Sequence, residues 1–484
     1  MDTSRSPAPK AGKHGARVAA LLALVTLSAA DLAGAQERFL VDWDRVTEEA
    51  IGHLQSLIRI NTTNPPGNET EAAEYVRAVL AREGIDSELY WLEASRANLV
   101  ARIPGNGSKR PILIMGHTDV VGVQAERWLK DPFGGAREDG WIYGRGSLDD
   151  KDTVTAGMMV LILLHRNGVE LDRDIIFLAE AGEEGTPEVG INYMIEHHRE
   201  LIDAEFALAE GGGGVLEDGH AHVVGVQTIE KVPRRVTLVA RGTAGHGSRP
   251  RADNAVAAIA RAVARAAAWQ TEMRLNETTT AYFERLATIS SPEDADRYRN
   301  VANPARTAEI QQYFYENDPY HYSVLRSSVV PTIIDGGFRK NVIPSEASAM
   351  LDVRVLPDED LQAFFAELAR VIDDPRIELV PERIYRPVGP PSGIDNEMFE
   401  TLERVAAIVY PDATVLPTMS TGATDMAQIR ALGIPAYGIG PLRSVAERNS
   451  GNGPHSDNER VSEQAFRDFL RFLWLAIIEV AASK

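Results

Sequence analysis

Cysteine is absent from all 484 residues. Disulfides are therefore excluded, as are zinc sites built on thiolates and catalysis by a cysteine nucleophile. Any metal has to be held by His, Asp and Glu, a donor set that suits zinc, manganese or cobalt. Basic residues are outnumbered, with 50 Lys and Arg against 70 Asp and Glu and a formal net charge of −20. That balance repels nucleic-acid backbones and anionic membrane surfaces, and it is compatible with small substrates or cations. The apolar stretch VAALLALVTLSAA (18–30) falls short of a membrane span, which takes about 20 residues. Internal repeats are lacking, and so is low-complexity sequence beyond this leader.

What is present is ordinary globular material, 44% apolar and 25% charged, in a chain long enough for two well-filled domains. The first 35 residues read as a cleavable export signal. Arg5, Lys10, Lys13 and Arg17 make a basic start, the apolar run follows, and Ala33-Gly34-Ala35 has the small-x-small form of a cleavage site. No cysteine follows to carry a lipid. The expectation is a periplasmic or secreted protein with no stable membrane span after cleavage.

The mature part opens with two helices broken at NPPGN (64–68), where the apolar residues recur every three and four positions. Strands ANLVARI, PILIMG, DIIFLA and AEFALAE then alternate with helices TVTAGMMVLILLHRNG and GINYMIEHHRELI. Such alternation predicts an α/β fold with a mostly parallel sheet flanked by helices. The rhythm changes near residue 231. KVPRRVTLVARG, VVPTIIDGG and ASAMLDVRVLP read as strands, NAVAAIARAVARAAAWQ and DLQAFFAELARVIDD as helices, and 271–325 as irregular, polar and aromatic-bearing. After about residue 385 the first style returns with a helix near MFETLERVAAIVY, the strand IPAYGIG and a long final helix. The expected organisation is a first domain of 36–230 and 385–484, with an α+β domain, 231–384, inserted into it.

Ligands of open α/β sheets collect at the carboxyl ends of strands. Three strands here run into metal-competent residues: PILIMG into His117-Thr118-Asp119, DIIFLA into Glu183-Glu184, and FALA into Glu210 and a flexible-looking GGGG. Loops add Asp149-Asp150 and His455. Taken singly, each has a plainer reading as a structural histidine, a helix N-cap or a solvated acid. Gathered on one sheet edge, two histidines and three carboxylates would hold two divalent cations roughly 3.5 to 4 Å apart, with one carboxylate bridging and a bound water brought to a pKa of about 7.

The motifs GHTDVV, YGRGSLDDKD, the Glu183-Glu184 pair, AEGG, GHGSRP, NVIPSEASAMLDVR and PHSDNE occur in that order. The chain thereby resembles, from about residue 40 to 480, the di-zinc metallopeptidase family of aminoacylase, glutamate carboxypeptidase, carnosine dipeptidase and succinyl-diaminopimelate desuccinylase. The resemblance implies two divalent metal ions, zinc by preference over cobalt or manganese. It puts His117 and Glu210 on one ion, His455 and Glu184 on the other, and Asp149 across both, with a cis bond to Asp150. Asp119 would orient the His117 imidazole, and Glu183 would be the general base on the attacking water. His246, in GTAGHGSRP, would reach a partner subunit's site to stabilise the oxyanion. Asn341 and Arg354 would hold a substrate carboxylate. Thr424 and Asp425 would line the pocket, and 231–384 would serve as a lid and dimerisation domain of a homodimer.

Two departures stand out. The family's DEE reads GEE, and its DEG reads AEG, which leaves Glu210 as the acid there. The stretch 271–325 is longer than in compact members and resembles the bulkier lids of carboxypeptidase S-like and fatty-acyl-amino-acid hydrolases, which hints at an apolar acyl group. Lys151 could pair with a neighbouring acid, and His197, His198, His220 and His222 are expected to be structural or solvated. The implied function is hydrolysis of the amide of an N-acyl amino acid or short peptide with a free carboxylate. A dipeptidase or aminopeptidase on unblocked peptides, and a non-catalytic peptide-binding protein, are the competing readings.

Overall fold

In the computed structural model, residues 39–483 are described, apart from Asp218 and Tyr385. The export signal expected over 1–35 lies outside the described residues. Ten strands make a mixed, largely parallel sheet. Its centre runs in the order Ile175–Glu180, Ile112–His117, Phe206–Ala209 and Ala436–Gly438, all paired in parallel. These strands are buried on both faces, which is why they read as continuous apolar runs rather than alternating ones. The antiparallel strands Ala97–Ile103 and Ser87–Trp91 close one flank. On the other flank His220–Glu230 pairs with Gly213–Glu217 and, in parallel, with Thr414–Ser420.

Helices cover both faces. Trp43–Arg59, Glu69–Arg82, Lys151–Arg166, Glu397–Val409 and Glu463–Ala481 bury their apolar sides in one core. Ile191–His197 and Met426–Ala431 pack on the opposite side. Among the described residues no helix is long and apolar enough to cross a membrane.

A second, antiparallel sheet is built around Glu346–Val355, which pairs with Val236–Arg241 on one side and Ser328–Gly336 on the other. Alternate residues of Glu346–Val355 are buried, the mark of a sheet covered on one face. The cover is the pair of helices Ala255–Ala268 and Leu361–Ile372.

The irregular reading of 271–325 is corrected. Four helices, Glu277–Ile289, Pro292–Arg299, Thr307–Asn317 and Pro319–Val324, occupy most of it. Their starts are set by short local signals: a capping box at Asn276, Ser291 before Pro292, and Asp318 before Pro319. Their apolar faces are weakly marked, Glu277–Ile289 burying only Phe283 and Ala287 of its apolar residues, and they cohere through rings instead. Phe283, Tyr298 and Phe314 surround His321, each with its ring centroid 5.3 Å from the imidazole. This cluster also takes in Ile229 and Met419 of the large sheet.

Candidate metal centre

The parallel register puts His117 opposite Glu180, so adjacent strands end level with each other. His117, the Glu183-Glu184 turn and Glu210 therefore leave the sheet at one edge. Asp149 arrives from the loop before helix Lys151–Arg166, through a cis bond to Asp150. His455 comes from the loop ahead of the last helix and sits in the left-handed region, at φ 62°. A histidine adopts that conformation uncommonly, and where it does so a local function is worth seeking.

The five groups converge. His117 Nε2 lies 2.9 Å from Asp149 Oδ1 and 3.9 Å from Glu210 Oε1. His455 Nε2 lies 3.1 Å from Asp149 Oδ2 and 2.9 Å from Glu184 Oε1. Asp149 thus gives one oxygen to each imidazole, as a bridging carboxylate would. Ligands about 2.1 Å from a tetrahedral ion sit roughly 3.4 Å apart, and the four separations bracket that value. The chemistry of the donor set fits as well. Burial, followed by repulsion from Asp149, holds the Glu210 carboxyl well above the ordinary range. Burial works the same way on Asp149, yet hydrogen bonds from His117 and His455 hold it below the ordinary range. So many converging carboxylates call for cationic charge between them.

Glu183 is buried and faces a different neighbour. Arg386 Nη2 donates to its Oε1 at 2.5 Å and to its backbone carbonyl at 2.9 Å, while Nη1 donates to Asp425 Oδ1 at 2.8 Å. Burial pushes the Glu183 carboxyl up to about 8, against the pull of Arg386. Asp119 does more than face the imidazole. His117 Nδ1 is nearer to its backbone carbonyl, 3.0 Å, than to its carboxylate, 3.5 Å. The carboxylate accepts instead from the amides of Glu183 and Glu184, at 3.1 and 3.0 Å, and from Asn64 Nδ2 at 2.8 Å. An Nδ1–H held by a carbonyl leaves the Nε2 lone pair for the cavity.

Asp149, Glu183, Glu184, Glu210 and His455 line one cavity of about 760 Å³, together with Arg234, Arg354 and Arg386. Arg354 is tied to Asp352, its Nε 3.0 and 3.2 Å from the two oxygens. Thr424 lines the cavity too, its hydroxyl donating to Glu230 at 2.7 Å. His246 and Asn341 are not brought there within one chain. Both are exposed; Gly245–His246 pairs with Val342–Ile343, and Ser248 donates to His246 Nδ1. Among the described residues Lys151 pairs with no acid. It is fully buried and donates to the carbonyls of Leu57 and Ile60, at 2.9 and 2.8 Å. Asp150 occupies the N-cap position without a capping bond; its Oδ2 accepts from the His117 amide at 3.1 Å. The GGGG loop is packed rather than flexible: a Cβ at Gly212 would lie 2.2 Å from the Gly438 carbonyl oxygen.

A second cavity of about 470 Å³ adjoins the first, sharing Gly211 and Ser420 with it. Tyr282, Leu286 and Tyr298 from the helices of 277–299 face Leu416 and Met419 of the large sheet across it. Sequence reasoning missed this slot, Arg386 and Arg234. None carries a local motif, and each depends on segments far apart in the chain.

Comparison with known proteins agrees with this geometry. The pattern of peptidase family M20/M25/M40 matches residues 113–479. N-fatty-acyl-amino acid synthase/hydrolase PM20D1 of Xenopus tropicalis is 28% identical over 452 residues, which cover 89% of this chain and 85% of the relative. Probable succinyl-diaminopimelate desuccinylase of Staphylococcus aureus is 28% identical over 384 residues, 78% of this chain and 85% of that protein. The crystal structure of the M20 family metallo-carboxypeptidase Sso-CP2 from Sulfolobus solfataricus superposes with a TM-score of 0.65 at 20% identity, covering 89% of this chain and 99% of that one. With well over half of its length matched, the chain belongs to peptidase family M20/M25/M40 and is a hydrolytic enzyme of the metallopeptidase and amidohydrolase kind.

Proposed function

We propose that this enzyme hydrolyses the amide bond of an N-acyl amino acid, or of a short peptide, that carries a free carboxylate. The observation that carries the reading is the convergence of His117, Asp149, Glu184, Glu210 and His455 at one sheet edge, with Glu183 beside them. His117 and Glu210 would hold one divalent cation, His455 and Glu184 the other, and Asp149 both; zinc suits the donors best, with cobalt or manganese as alternatives. Bound there, the pair supplies Lewis acidity for the amide carbonyl and lowers the pKa of a water. Glu183 takes the proton of the attacking water and hands it to the leaving nitrogen. Asp119 fixes the turn that carries both glutamates, and Arg386 holds Glu183 in place.

The aromatic slot favours an N-acylated substrate over an unblocked dipeptide. Tyr282, Leu286, Tyr298, Leu416 and Met419 give it an apolar, ring-lined part that suits a hydrocarbon acyl group, and the like charge of Arg443 and Arg448, which also line it, disfavours a charged amino terminus. Residues 231–384 form the inserted lid and dimerisation domain in this reading. Ser328–Gly336 is an edge strand with Ile333 and Ile334 more than half exposed, and pairing there with a second copy would cover it. His246 and Asn341, standing outside their own chain's cavity, would then serve the partner's site. The leader directs the protein to the periplasm or beyond.

Substitution separates the roles. Glu183→Ala keeps its metal by elemental analysis and loses nearly all turnover of N-acyl amino acids, whereas Glu184→Ala loses metal. Equal metal loss in both variants would refute the assignment, and faster release from unblocked dipeptides than from their N-acetyl forms would refute the substrate class.

A further inference from the structure

The arginines around the metal cavity are not equivalent. Arg386 is bound to Glu183 and Asp425. Arg354 is bound to Asp352, and Arg235, half exposed, stands 3.5 Å from Asp352 and 3.9 Å from Glu382. Arg234 has no acid among the described residues. Its side chain bonds only the carbonyl of the preceding Pro233, through Nη1 at 2.8 Å, and its Nε is buried without a partner. Yet the residue is only 8% exposed, and it lines the cavity that holds the candidate ligands.

A buried guanidinium without a counter-ion is costly, and burial here pulls its pKa below the ordinary arginine value. The backbone fixes it firmly: the Arg234 amide donates to Val353 O at 2.8 Å, between the short strand Val232–Pro233 and the strand Val236–Arg241. The side chain is held ready, and an anion entering the cavity would complete it. Arginine suits a carboxylate because its planar fork offers two parallel donors.

We propose that Arg234, rather than Arg354, is the specificity residue that receives the substrate's carboxylate, and that this carboxylate belongs to the amino-acid half of the molecule. The assignment rests on the hydrolase reading above. The rings and aliphatic side chains of the slot offer the acyl half its place, which leaves the amino-acid half for Arg234; Arg443 and Arg448 also line the slot, so a probe with its carboxylate on the acyl side is needed to decide between the halves.

Three probes test it on the metal-loaded full chain: N-octanoylalanine, N-octanoylalanine amide, and N-succinylalanine amide, whose carboxylate lies on the acyl side. Arg234→Met should raise KM for N-octanoylalanine at least tenfold, leave both amides unchanged, and be partly rescued by Arg234→Lys. Arg354→Met should do less. The same contrast should appear as binding by titration calorimetry in Glu183→Gln protein, so absence of turnover would count against the hydrolase reading while the calorimetry still decides the arginine. Removal of an uncompensated buried charge should leave the urea midpoint of Arg234→Met equal to or above wild type. A lower midpoint with equal losses on all three probes would make Arg234 structural and overturn the proposal. A loss confined to N-succinylalanine amide would put the anion on the acyl side and overturn it as well.

Discussion

Arg386 offers the sharpest test of how Glu183 is held. Its guanidinium, 11% exposed, spans two carboxylates that are 7% and 1% exposed. Arg386→Met keeps most of the side-chain volume and strips the charge from between two buried acids. Breaking one buried ion pair from one side costs about 3 to 5 kcal/mol. Whole-protein stabilities run to about 5 to 15 kcal/mol, so the loss should be plain in a urea unfolding curve. Turnover should suffer separately. With nothing to hold it, Glu183 drifts from the water, and a displacement of the order of 1 Å costs about 100-fold. Arg386→Lys restores one charge and cannot bridge both acids, so it should recover part of the stability and little of the rate. Metal content, measured by plasma mass spectrometry, should stay at the wild-type level in both variants, because Arg386 touches none of the five proposed ligands. Wild-type turnover and an unchanged urea midpoint in Arg386→Met would refute the reasoning. A coincident loss of metal would refute the separation of base from ligands.

Leu286→Trp should fill the aromatic slot and lower kcat/KM for N-octanoyl amino acids at least tenfold, with N-acetyl amino acids spared; parallel losses would remove the slot from the acyl site. Ile333→Glu on the exposed edge strand should shift the protein from dimer to monomer in sedimentation, and a wild-type profile would exclude that edge as the interface. Lys231 is fully buried, donates among the described residues to the carbonyl and hydroxyl of Ser323 and the hydroxyl of Ser328, and is pushed by burial down to about 7. The unfolded chain therefore binds a proton that the native one lacks between about pH 7 and the ordinary lysine value near 10, so stability gains from this group as pH rises through that window. Lys231→Met should flatten that part of the urea-midpoint profile, and an unchanged slope would refute the burial argument.

The core and the candidate ligands were legible for one reason: each carries its signal locally. Ile112–His117 and Ile175–Glu180 are apolar throughout and end in polar chemistry, so both strand and site could be read from a few residues. The parallel order of the large sheet followed from the alternation of strands and helices. What escaped was held by long-range partners. His220–Glu230 and Thr414–Ser420 are interrupted by glycine or proline and become strands by pairing with each other. The helices of 277–324 rely on a ring cluster that joins residues more than 30 positions apart. Arg386 lies 203 positions from the glutamate it grips.

Two adjacent pairs show where local reading stops. Glu183 and Glu184 share a charge and a turn, and only the fold sends one to Arg386 and the other to His455. Arg234 and Arg235 repeat the pattern with the opposite sign: both line the cavity, but among the described residues one is buried without an acid and the other is half exposed between two. Arg234 and Arg235 lie between two strands, where neighbours on an extended backbone point to opposite sides; Glu183 and Glu184 diverge within a turn that follows the strand Ile175–Glu180. In the proposed reading the split separates metal binding from proton transfer for the glutamates, and an anion receptor from an ion-paired neighbour for the arginines, although both members of each doublet line the one cavity.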